Sequence, residues 1–74
     1  MTGMVDLTDR ERAMLEFEHA WWHTEGAKEE EIRRRFGVEP VRYFQLLNRL
    51  IERPEAAAAD PVLVRTLLAR RDDA

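Results

Sequence analysis

One glycine and three prolines, Gly37, Pro40, Pro54 and Pro61, punctuate this chain so tightly that only short helices fit between them. Proline costs no hydrogen bond in the first turn of a helix but cannot continue one. Pro40 therefore marks a helix start, and Pro54 forces that helix to stop first. Pro61 follows Asp60, which reads as an N-cap before a proline at the first helical position. Gly37 supplies the left-handed residue that closes a preceding helix. The apolar residues recur at helical spacing, and no stretch shows the period-two alternation of a strand. The expected fold is all-α: a small four-helix domain with a central helix-turn-helix.

At 74 residues the chain is one domain, with a core at 8–69, a flexible start at 1–7 and a frayed tail at 70–74. It has no cysteine, so neither disulfides nor thiolate-bound metal can supplement so small a core. The start Met1-Thr-Gly-Met-Val-Asp lacks the basic and apolar runs of a targeting signal, and no apolar stretch approaches the ~20 residues of a membrane helix. The expected location is the cytoplasm.

Helix 1 opens on a capping box, Thr8-Asp9-Arg10-Glu11. It is expected to run from Asp9 to about His23, with Gly26 as its stop. On a helical wheel Ala13, Met14, Phe17, Ala20 and Trp21 form the core stripe, and Leu15 and Trp22 fall almost opposite. Either the remainder of the chain wraps around helix 1, or Leu15 and Trp22 meet a partner. Helix 2, about Ala27 to Phe36, turns Ile32 and Phe36 inward. Its acids Glu29-Glu30-Glu31 precede its bases Arg33-Arg34-Arg35, which suits the helix dipole and allows i,i+4 pairs. Helix 3, Pro40 to about Glu52, has a broad apolar face of Tyr43, Phe44, Leu46, Leu47, Leu50 and Ile51. Pro54 to Ala59 reads as one irregular helical turn, and helix 4 follows with Leu63, Val64, Leu67 and Leu68 as its apolar face.

Helices 2 and 3 carry the functional argument. Ile32, Gly37, Val38, Tyr43 and Leu46 or Leu47 occupy, in order, the anchor and turn positions of a helix-turn-helix. Arg33 stands where such motifs often place a small residue. Arg42, Gln45 and Arg49 share one stripe of helix 3 with Asn48 beside it, and all four suit base edges in a major groove. Lys28, Arg34 and Arg35 are then candidate phosphate contacts. Charge placement agrees in sign. Six acids against two arginines make residues 1–27 acidic by four charges, whereas residues 28–49 carry six bases and four acids, although the whole chain is at −3. The same polar stripe is also what the wet side of any amphipathic helix looks like.

No nucleophile arrangement, phosphate loop or facing carboxylate pair stands in the sequence, so no catalytic residue and no cofactor are expected. His19 and His23, with Glu16 one turn earlier, have a ligand-like spacing, but two or three such groups leave a metal site incomplete, and none is expected.

The blocks Leu7-Thr-Asp-Arg-Glu-Arg, Trp21-Trp22, Gly26-Ala-Lys-Glu, Arg42-Tyr43, Gln45, Leu47-Asn48 and Asp60-Pro-Val-Leu-Val occur in that order. Over about Leu7 to Leu67 the chain closely resembles an actinobacterial family known as domain of unknown function 3263. The resemblance implies an actinobacterial origin, a helix-turn-helix-like fold and a regulatory or DNA-associated role. It departs from the family at Phe44, where a second tyrosine is common, and at Asp72-Asp73, where a basic tail is common.

Two functions follow as expectations. The first is a DNA-associated regulator, dimeric through Trp22, Leu15 or helix 4, with helix 3 reading the major groove. The second is a protein-interaction adaptor that binds transcription machinery or another partner through acidic helix 1 and exposed Leu15 and Trp22.

Overall fold

The computed structural model describes residues 6–73, which form five α-helices: α1 Asp9–Phe17, α2 Glu25–Phe36, α3 Pro40–Leu50, α4 Pro54–Ala59 and α5 Pro61–Asp73. Residues 1–5 of the expected flexible start, and Ala74 of the expected tail, lie outside the described residues. The fold is all-α, with five helices among the described residues rather than four. The Pro54–Ala59 segment is a helix of its own, because Pro54 presets its first turn and four alanines follow it.

The local signals at the starts of α1, α3 and α5 and at the end of α2 hold. The Thr8 hydroxyl accepts from the Glu11 amide, and the Glu11 carboxylate accepts from the Thr8 amide. Gly37 ends α2 at φ +67°, and its amide donates to the Arg33 carbonyl. Val38 then packs back against the core, and Pro40 opens α3. The Asp60 carboxylate accepts from the Leu63 amide at 3.4 Å, which caps α5.

The α1–α2 junction differs from expectation. α1 stops at Phe17, six residues short of His23, and the next two turns tighten through His19 N–H to Glu16 and Ala20 N–H to Phe17 carbonyls. Thr24 then caps α2, so Gly26 lies inside that helix instead of stopping the one before. Glu29–Glu31 consequently sit in the middle of α2, with Glu25 in its first turn.

Phe17, Ile32 and Tyr43 are the most deeply buried large side chains. Phe17 is the hub: its ring centroid lies 5.2 Å from Trp22, 5.4 Å from Phe36 and 5.7 Å from Tyr43. Met14, Leu15, Leu47, Leu50, Ile51, Ala56, Leu63 and Val64 complete the core. Leu7 also belongs to it at 4% exposure, although the sequence placed it in a flexible start. Asp6 fixes that segment, accepting from the Leu7 amide at 2.8 Å and pairing with Arg12 at 2.7 Å. At the other end, α5 continues through Asp73 instead of fraying from Arg70. Arg71 ties it to Glu52 at 3.1 Å, and Arg70 and Arg71 suit its C-terminal dipole.

Candidate nucleic-acid interface

α3 sorts its residues cleanly. Tyr43, Leu47 and Leu50 are buried, so the helix is fixed against the core by one face. Arg42, Gln45, Asn48 and Arg49, the four side chains expected to meet base edges, are all exposed on the other. Arg49 lies seven positions after Arg42, about 10 Å along the axis. The Arg42 guanidinium donates to the Gln45 side-chain oxygen at 3.4 Å, which links the two along the stripe. Among the described residues no carboxylate lies within 4.0 Å of Arg42 or Arg49. The stripe is open and carries two uncompensated positive charges.

The three expected phosphate contacts stand differently. Lys28 is not available. Its ammonium pairs with Glu18 at 3.1 Å, with the two side chains only 18% and 4% exposed, and it lies 5.4 Å from the Phe44 ring centroid. The other Glu18 oxygen accepts from the Tyr43 hydroxyl at 2.5 Å. Glu18, Lys28 and Tyr43 thus form one charged knot between the end of α1, the start of α2 and the middle of α3. Burial first, and Glu18 second, hold the Tyr43 hydroxyl protonated well above the usual phenol range. Sequence reasoning missed Glu18. The signal was Tyr43 itself, since a core tyrosine needs an acceptor for its hydroxyl.

Arg34 and Arg35 remain on the surface but share one acid. Glu31 accepts from Arg34 at 2.6 Å and from Arg35 at 2.8 Å, and these two bonds, Arg34 first, hold its carboxyl below the usual range. Of the three i,i+4 pairs that the sequence allowed, Glu31–Arg35 forms. Arg34 turns to Glu31 at i,i+3, and the Arg33 side chain reaches past the end of α2 to meet Glu39 at 3.0 Å. That contact takes the bulky Arg33 outward over the turn, where a small residue was expected.

The expected partner surface of Leu15 and Trp22 is corrected. Leu15 is 4% exposed, and it shares a cleft with Ala59 and Asp60, so the α4–α5 junction wraps this side of α1. Trp22 is half-buried against Phe17, and Trp21, expected in the core, is 77% exposed. The reason is the early end of α1. A helical wheel does not apply beyond Phe17, and the turn reverses the two tryptophans. The Trp22 indole N–H is buried without an acceptor among the described residues. His19 and His23 are likewise not on one helix face: His19 meets Asp60 at 2.6 Å, and His23 packs edge-on against Trp21.

A family model described as "Protein of unknown function (DUF3263)" matches residues 6–74, and the chain belongs to that family. Neither the curated proteins nor the solved structures contain a match to it.

Proposed function

We propose that this chain is a non-catalytic, DNA-associated regulatory protein of the helix-turn-helix type. α2 and α3 are the motif, and α3 lies in the major groove. Arg42 and Arg49 would bridge guanine, and Gln45 and Asn48 adenine. The observation that carries this reading is the open α3 stripe, whose two arginines have no carboxylate partner among the described residues. The cytoplasm is the location that goes with it. Gly37 at positive φ and the anchors Ile32, Tyr43 and Leu47 support the same reading, because they fix α3 rigidly enough to present a stripe.

The charge distribution bounds the strength of binding. With Lys28 committed to Glu18, and Arg34 and Arg35 sharing Glu31, few cations remain for phosphates. A single copy should bind weakly and with strong salt dependence. A dimer would double the footprint. Its surface would include exposed Trp21 in place of Leu15 and Trp22.

Fluorescence titration of the full chain against mixed-sequence duplex DNA, at low and moderate salt, tests the proposal. Binding at low salt is expected, and Arg42→Ala should lower affinity and relax the preference for guanine at the position it meets. Absence of binding at low salt by the folded chain sinks the reading. Sedimentation at several concentrations separately tests the dimer.

A further inference from the structure

An open groove of about 540 Å³ runs between the first turns of α1 and the second half of α3. Its volume is in the range of clefts that hold small organic groups, about 300–1,000 Å³. Its floor is aliphatic: Met14 and Leu50, both at 3% exposure, and half-buried Leu46. Its walls carry three bases and one acid: Arg10 and Glu11 on α1, Arg49 on α3 and Arg53 just past α3. Arg53 is compensated, by Glu11 at 2.6 Å and Glu55 at 3.4 Å. Arg10 and Arg49 have no carboxylate within 4.0 Å among the described residues. The groove therefore combines an apolar floor with two positive charges still unmatched.

We propose that this groove docks an acidic amphipathic helix of a partner protein, with aliphatic side chains on Leu46 and its neighbours and carboxylates against Arg10 and Arg49. A DNA strand offers phosphates for the arginines but no row of branched aliphatic side chains to fill the floor. A second copy of this chain is a poor occupant: the apolar faces of its α1 and α3 are buried in its own core. A helix with leucines on one face and glutamates beside them satisfies floor and walls together. Arginine recognises such carboxylates bidentately, which adds direction to the contact. This site does not depend on the DNA reading, although Arg49 borders both surfaces.

The probe is a labelled synthetic peptide helix with leucines at i, i+4 and i+7 and glutamates flanking them, with a counterpart in which lysine replaces each glutamate. Anisotropy titrations use the full chain. Saturable binding of the acidic peptide is expected, at least about tenfold tighter than that of the lysine form. Arg10→Glu should weaken it about tenfold or more, and Arg10→Lys much less. Amide chemical shifts should move along 8–14 and 46–53. Leu46→Asp is a second variant against the floor, with its fold checked by circular dichroism; should it not fold, exposed Arg10 still decides. Arg42→Ala should leave peptide binding unchanged while lowering DNA binding, which separates the two readings. Equal binding of both peptides, no saturable binding, an unaffected Arg10→Glu variant, or shifts at 8–14 produced by DNA and not by the peptide overturns the proposal.

Discussion

Lys28 and Arg42 count alike in a composition and lie on consecutive helices, yet they occupy opposite electrostatic situations. Lys28 is four-fifths covered, 3.1 Å from a carboxylate that is itself almost fully buried. Arg42 is exposed and donates to a neutral amide, at 3.4 Å. In a low-dielectric pocket a charge must be matched where it sits, so Lys28 belongs to the fold. At the surface water screens an unmatched charge at little cost, so Arg42 can remain available to another molecule. A local charge balance of +2 over residues 28–49 does not make this distinction. It overstates what nucleic acid would meet, since part of that balance is consumed inside the molecule.

The sharpest way to break the comparison is Lys28→Met. The substitution keeps the aliphatic stem between Phe17 and Phe44 but leaves Glu18 with Tyr43 alone. Removing one partner of a buried pair costs about 3–5 kcal/mol, a large share of what a domain of this size has. Urea denaturation should show that loss. The folded fraction should keep its DNA affinity, and a variant of unchanged stability would mean that Lys28 is solvated after all.

The tryptophans provide the next test. Trp22→Ala removes a half-buried ring that packs at a tilt against Phe17, and it should cost about 2 kcal/mol in thermal unfolding. Trp21→Ala, at a side chain 77% exposed, should cost less than about 0.5 kcal/mol. The reverse order would restore the wheel-based assignment.

These two residues also show where sequence ceases to be legible. Thr8 with Glu11, Gly37, Pro40 and Asp60 with Pro61 act on backbone groups within four positions, so their structure could be read from short windows. The end of α1 could not. No proline or glycine stands between Phe17 and Thr24, and the helix gives way to contacts made far along the chain: Glu18 with Lys28 and Tyr43, His19 with Asp60. Once that end was misplaced, Trp21 and Trp22 exchanged roles and Lys28 took on a surface duty. The α3 stripe was legible because its helix is bounded by local signals and its inner face is plainly apolar. The groove against Arg10 was not, because it joins residues about forty positions apart.

The turn that aims the stripe can be tested by Gly37→Ala. Beyond its two chain neighbours, no atom of the described residues lies within 4 Å of the added methyl, so only the positive φ opposes it. The cost should be about 1 kcal/mol in chemical denaturation. A neutral result would mean that α2 ends equally well in another conformation.

Acid titration probes a smaller effect on the groove side. The Glu11 carboxyl is held below its ordinary 4.5 first by the Thr8 amide and then by Arg53. A carboxylate with a lowered folded value contributes stability above its unfolded value and loses it as pH falls through the folded one. Stability should therefore decline below about pH 4.5. Glu11→Gln should flatten that part of the decline, and an unchanged profile would assign acid sensitivity to other carboxylates.

The smallest expected effect lies on the other side of the comparison. Arg42→Ala removes an exposed guanidinium with no carboxylate partner, and alanine is the better helix former. Unfolding free energy should change by less than about 0.5 kcal/mol in either direction. The same variant should lose DNA affinity at low salt. A stability loss comparable to that of Lys28→Met would place Arg42 in the fold, and the stripe would then have no cation left over at its N-terminal end. Unchanged stability together with weakened DNA binding is the outcome that separates a charge held for the fold from one held for a partner.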